Sequence, residues 1–205
     1  MSDHKLYLYP KWLRVWHGIN ALSIIMLIAT GISMQYSNVN YPIINFKYAV
    51  PFHNLFGVIT LVNYLAFIII NSVTGNRKAY KLHFKGLMDR LIKQSQYYLS
   101  GYFKGEPKPF PVSKTEKFNP LQKVAYVTAM YLLVPLVILT GLALLFPEVI
   151  IERFLKTSGI RLTAIFHASL GFLISLFLFI HLYVASVGKH PFRNYRSIIT
   201  GYHED

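Results

Sequence analysis

The sequence predicts an all-α integral membrane protein, a four-helix bundle with a cytoplasmic amphipathic segment and both termini cytoplasmic. Three observations carry this prediction. The 205 residues are 54% hydrophobic and 14% charged, against about 25% charged in ordinary soluble domains. Four apolar stretches each exceed the roughly 20 residues that cross a bilayer at about 1.5 Å per residue. The basic residues, with a formal net charge of +13, gather on one side of those stretches, as the positive-inside bias requires. That placement favours a solvated face beside anionic headgroups over nucleic-acid binding.

The first span is expected at about residues 11–36, with Trp12 and Trp16 as interfacial anchors. His17 lies near its start, and Gly31, 14 residues on, shares its face; this is either a close-approach glycine or a helix-packing one. The second span, about 50–73, opens on PFHNLFG, with His53 followed by Gly57 one turn later. A polar stretch, Thr74 to Asn119, holds ten of the 21 Lys and Arg residues. Within it, about Phe84 to Phe103 reads as an amphipathic helix on the membrane surface, with Leu87, Leu91, Tyr98 and Phe103 among the bases. Pro107, Pro109 and Pro111 form a helix-breaking linker. The third span, about 121–146, contains Pro135, expected to kink it, and Gly141, a close-packing point. Pro147 to Ile160 reads as a short amphipathic connector. The fourth span, about 161–188, carries His167 and His181 and precedes a basic tail. The first apolar run starts among charges and aromatics and lacks a small-residue cleavage site, so no cleavable signal is expected. The whole chain, 1–205, reads as one domain.

Four spans place both termini and the long loop on one side, with sixteen bases, against Lys47, Arg153, Lys156 and Arg161 on the other. The termini are therefore expected in the cytoplasm. This sets histidine depth: His17 and His181 fall on the inner side, His53 and His167 on the outer. His167 and His181 are 14 residues apart, which returns to within roughly 40° of one helix face about 21 Å further along. Ionisable groups inside a span are candidates for function. Two histidines at each of two levels meet the requirement for two bis-histidine haems, with no open iron position. The chain has no cysteine, which excludes covalent haem attachment through C-x-x-C-H and cysteine-ligated clusters. His4, His83, His190 and His203 read as solvated surface residues. Arg14, one turn before His17, is either a propionate partner of the inner haem or a marker of the membrane edge.

The arrangement of His17 in RVWHGIN, His53 in PFHNLFG, and His167 with His181 on the last helix resembles the dihaem cytochrome b subunits of respiratory formate dehydrogenases, nickel-iron hydrogenases and thiosulfate-reductase-like complexes. KFNPLQKVAY, Lys117 to Tyr126, resembles the segment opening the third helix of the formate-dehydrogenase version, and HPFRNYRSIITG resembles the end of such subunits. The resemblance covers nearly the full length. It implies two haem b groups, the His53/His167 haem nearer the electron-donor side and the His17/His181 haem nearer the quinone. It also implies that Asn119 helps line the quinone pocket. The formate-dehydrogenase segment has glycine where this chain has Leu121, a departure that bears on the shape of that pocket.

The expected function is a transmembrane electron-transfer subunit of the inner (cytoplasmic) membrane, with no substrate-oxidising site of its own. It would link an iron-sulfur or other electron-transfer subunit to menaquinone or ubiquinone. Topology expects the quinone on the cytoplasmic side, near His181, Asn119 and Gln122. Asn119 has a second reading, as the N-cap of the third span with Pro120 at its first position. One competing function is a proton or metal transporter using the histidines as a relay, which would be expected to carry carboxylates inside the spans; none of the eight acids lies deep in one. Another is a haem-free membrane anchor, which has no need for histidines at matched depths.

Overall fold

The structure is a computed structural model describing residues 6–38, 41–113, 116–154, 156–187 and 192–203. It is all-α apart from two short strand pairs. Four helices are long and apolar enough to cross a membrane: Lys11–Tyr36, Phe46–Val73, Pro120–Leu145 and Gly159–Ser186. The first coincides with the expected span. The second begins four residues earlier than expected because Asn45 caps it. Asn45 Oδ1 accepts from Lys47 N at 2.9 Å, and its carbonyl accepts from Tyr48 N and Ala49 N. Pro51 thus falls inside the helix, in its second turn, where its missing N–H leaves the Lys47 carbonyl without the usual donor four residues on.

The third span is α-helical over Pro120–Thr128 and Val134–Leu145, with a π-helical turn, Ala129–Leu133, between them. Pro135 has no N–H to donate and its ring crowds the carbonyl four residues back. The irregularity it causes is taken up in that wider turn, just before the proline. The expected connector after this span is built from a turn and a strand pair. A single 3-10 turn, Pro147–Val149, leads to an antiparallel pair, Arg153–Phe154 with Thr157–Ser158. Gly159 N donates to the carbonyl of Glu152 at 3.0 Å. A side chain at Gly159 would run into the backbone of Ile151.

The residues group into two compact units, Met1–Val15, Ile70–Ala129 and Leu178–Asp205 in one, Trp16–Ile69 and Met130–Phe177 in the other. In the first unit the two ends of the chain are joined. Leu6–Tyr7 pairs antiparallel with Tyr202–His203, and the Gly201 carbonyl accepts from Leu8 N and Tyr9 N. The tail forms a helix, Arg193–Thr200, ended by Gly201 at φ 91°, a conformation glycine adopts without the strain other residues meet. This pairing buries His203 to 5% exposure, so it is not the surface histidine expected. His83 is exposed as expected; His4 and His190 lie outside the described residues.

The amphipathic segment is a helix over Leu87–Gln96 continued by a π-helical turn, Tyr97–Gly101. Leu87, Leu91, Gln94 and Tyr98 face the protein, while Phe84, Met88, Ile92, Leu99 and Phe103 are exposed. Met88, Ile92 and Leu99 recur at intervals of four and seven and form one apolar stripe, with Phe84 just before the helix and Phe103 just after the π-helical turn, the face expected of a helix lying in the membrane interface. The apolar residues first expected to meet lipid are, Phe103 apart, those that pack inward. In the second unit the loop after the first span is tied down by Ser33 and Ser37. Ser33 Oγ bonds the carbonyl and the N–H of Ile44, and Ser37 Oγ accepts from Ile43 N.

Candidate functional site

The second unit brings His53 and His167 together, one from the second span and one from the fourth. Their ring centres are 6.1 Å apart and their planes lie at 73°. Each ring is held by a threonine of another helix. Thr30 Oγ1 is 2.9 Å from His53 Nδ1, and Thr140 Oγ1 is 2.9 Å from His167 Nδ1. Thr30 Oγ1 also lies 2.7 Å from the Met26 carbonyl and 3.2 Å from that of Leu27. Thr140 Oγ1 lies 2.9 Å from the Leu136 carbonyl and 3.1 Å from that of Val137. A hydroxyl has one proton; donated to its own helix, it leaves the oxygen to accept from Nδ1–H of the imidazole. In that tautomer the lone pair is on Nε2, the form that binds a metal.

The glycine after each threonine lies beside the ring, and at 141 its lack of a side chain is what lets the ring approach. A Cβ at Gly31 would stand 3.6 Å from His53 Cε1, and one at Gly141 3.1 Å from His167 Cε1. At Gly31 and Gly141, then, the bulky group that passes the backbone is an imidazole.

These residues fit a haem. With a metal–nitrogen bond of about 2 Å and each nitrogen about 1.1 Å from its ring centre, two imidazoles opposed across one iron have centres about 6 Å apart. The observed separation matches. One turn after each histidine, on the same face, the sites of Cβ atoms at Gly57 and Gly171 meet nothing within 4 Å, which is room for a flat ring beside the helix. No cluster of three or more His, Cys, Asp or Glu that could hold a bare metal ion occurs among the described residues. A haem iron needs only two protein ligands, the porphyrin supplying the rest.

His17 and His181 fall in different units. His17 is half-buried and follows Trp16, whose ring centre is 6.5 Å from its own. Trp16, expected as an interfacial anchor, packs against the second span. Its Nε1 donates to the Asn63 carbonyl, Asn63 Nδ2 donates back to the Trp16 carbonyl, and its ring stacks on buried Phe67 at 4.5 Å. His181 has Tyr126 Oη 3.5 Å from its Nδ1, and Phe118 packs edge-on against Tyr126 at 4.9 Å. Arg14 Nη1 donates to the Ile199 carbonyl at 2.6 Å, while its Nε is buried without a hydrogen-bond partner. The guanidinium therefore anchors the tail and retains an unsatisfied donor.

Asn119 makes both halves of a capping box. Its Oδ1 accepts from Gln122 N at 2.9 Å, and Gln122 Oε1 accepts from Asn119 N at 3.2 Å. Asn119 Nδ2 donates to Tyr98 Oη at 2.8 Å. Burial raises the Tyr98 phenol above its ordinary value, which keeps it neutral. Nearby, Lys123 is buried and ion-paired with Glu116 at 2.6 Å.

Thr30, Thr140, Tyr98 and Tyr126 were absent from the sequence-based site. A signal for the threonines exists: within the spans the dipeptide Thr-Gly occurs twice, Thr30-Gly31 and Thr140-Gly141, each one span before a histidine that is followed four residues later by glycine.

Four membrane-length helices and a facing histidine pair of this geometry define a class, the membrane cytochromes b. The chain belongs to the prokaryotic cytochrome b561 family, which it matches over residues 8–201, and that membership implies a b-type haem. It is 38% identical over 205 residues to YdhU of Escherichia coli (strain K12), a protein provisionally named a cytochrome, covering 98% of this chain and 77% of that one. No solved structure matches it.

Proposed function

We propose that the chain is the electron-transfer subunit of a quinone-linked membrane oxidoreductase, one domain holding two non-covalent b-type haems. His53 and His167 would hold one haem, and His17 and His181 the other. The observation that supports this best is the His53–His167 pair, 6.1 Å between ring centres, with both Nδ1 atoms turned onto hydroxyls. The second pair rests on helical position and the charge bias of the loops. When bound, the haems supply one-electron carriers with no open coordination position.

The chain's residues do the rest. The histidines hold the irons at two depths on the fourth span, and the spans exclude water. Arg14, with its unpartnered Nε, meets a propionate of the inner haem. The quinone, menaquinone or ubiquinone, docks on the cytoplasmic side near His181. There the second amide hydrogen of Asn119 and the amide of Gln122 are the donors for a quinone carbonyl. An iron-sulfur or other electron-transfer subunit would deliver electrons on the outer side, where His53 and His167 would hold one haem. Quinone reduction then takes protons from the cytoplasm, and turnover is electrogenic. The location is the inner (cytoplasmic) membrane, with lipid around the spans and under the Phe84, Met88, Ile92, Leu99 and Phe103 stripe.

A pyridine haemochrome assay after extraction with acidified organic solvent is expected to find two haems per chain. His53→Ala and His167→Ala remove one spectral component, and His17→Ala and His181→Ala the other. One haem per chain, haem that stays on the polypeptide, or a different grouping of the four variants overturns the reading.

A further inference from the structure

We propose that Thr30 and Thr140 are positioning residues that lock the tautomer and the ring planes of His53 and His167 and so lower the reduction potential of the haem between them. The proposal rests on the reading of those two histidines as haem ligands, and goes beyond it to residues that touch the imidazole rings.

The device is built twice from different helices. In each case a threonine hydroxyl sits 2.9 Å from Nδ1 and within 3.2 Å of two carbonyls of its own helix, three and four residues back. The side-chain rotamer is fixed by those carbonyls, so the oxygen's accepting direction is fixed too. Thr30 is 1% exposed, which shields its bond from competing water. In each case the next residue is glycine, with a Cβ position 3.1 to 3.6 Å from the imidazole Cε1. At 141 even alanine pushes the ring off the hydroxyl, whereas at 31 alanine makes an ordinary contact. The repeat is chemical and not one of whole helices, since the histidine follows its threonine by 23 residues in one case and 27 in the other.

Two consequences follow for a metal ligand. An acceptor on Nδ1–H raises the electron-donating power of Nε2 and favours the more positive, oxidised iron. Removing the acceptor therefore moves the potential upward. The same bonds oppose rotation of the rings about their Cβ–Cγ bonds and hold the planes at 73°. The angle between axial imidazole planes sets the anisotropy of the ferric low-spin electron paramagnetic resonance signal, so loss of either bond broadens or shifts that signal.

The experiment compares purified Thr30→Val, Thr140→Val, Thr30→Ser and Thr140→Ser proteins by redox titration followed optically and by electron paramagnetic resonance. In each valine variant one spectral component is expected to titrate at a higher potential with altered anisotropy. The other component stays in place, and the serine variants, which keep the hydroxyl, return both readouts to wild type. Loss of that component in the valine variant alone, with serine retaining it, also supports the proposal. An unchanged or lowered potential in both valine variants, or equal loss of the component in valine and serine, overturns it. His53→Ala and His167→Ala run alongside: if both components survive there, the ligand assignment itself has failed. If one component is lost there while the valine variants behave as wild type, only the role of the threonines has failed.

Discussion

Gly141→Ala separates ring approach from helix packing. A Cβ at Gly141 would stand 3.1 Å from His167 Cε1 and 3.7 Å from its Nδ1; at Gly31 the corresponding distances to His53 are 3.6 and 4.0 Å. Carbon–carbon contacts are most favourable at about 3.5–4.0 Å. Alanine at 31 is therefore an ordinary contact, whereas alanine at 141 forces the His167 ring back by a few tenths of an ångström. That displacement stretches the 2.9 Å bond to Thr140 and pulls Nε2 off the iron axis. Overpacking of this kind costs about 1–3 kcal/mol. If the ring swings aside freely when no haem is held, the whole cost falls on haem retention. At about 1.4 kcal/mol per tenfold, retention weakens about five- to a hundredfold. Gly31→Ala instead gains a fraction of the roughly 0.5–1 kcal/mol by which alanine exceeds glycine inside a helix. The assay is the rate of haem loss from detergent-solubilised protein to apomyoglobin. One component is expected to leave Gly141→Ala faster, with Gly31→Ala at or below the wild-type rate. Equal rates in the two variants would refute the account of Gly141 as an imidazole clearance.

Asn119→Ala removes the capping box and the bond to Tyr98; quinone-linked turnover and binding of a quinone-analogue inhibitor are expected to fall with both haem spectra intact, at a stability cost of about 1 kcal/mol. Normal turnover and inhibitor affinity would leave Asn119 as a cap alone. Glu116→Gln leaves Lys123, 8% exposed, charged and without its carboxylate; the melting temperature is expected to drop, and Lys123→Met in the same chain to recover most of the loss, since a buried charge without its partner is the costly state. Gly201→Ala meets both a φ of 91° and contacts of 2.8 Å to the Tyr7 ring and the Tyr9 carbonyl. Limited proteolysis is expected to release the tail faster, consistent with about 1–3 kcal/mol of local strain.

Much of this protein is legible in one dimension because a membrane imposes length and polarity on each element separately. The four spans, the all-α class and the family resemblance come from apolar run length, histidine spacing and local motifs, and the matched family agrees. The alternation of spans already put His53 level with His167, since each crossing reverses direction and helical rise is constant. Boundaries were less legible where a polar residue could cap from outside the apolar run, as Asn45 does before Pro51.

Other features required the chain to fold back on itself. Thr30 and Thr140 are unremarkable in their own helices, where a threonine hydroxyl bonds its own carbonyls. They become part of the site only when another helix presents an imidazole at 2.9 Å. Which glycine clears a ring, Gly31 or Gly141, and by how much, is likewise a distance between helices. His203 is polar and near the end of the chain, yet it is buried because Leu6 lies opposite it in a strand pair nearly two hundred residues long in sequence separation. Composition and periodicity act along the chain; a hydrogen bond between helices depends on their rotation and crossing, which only the packed structure decides.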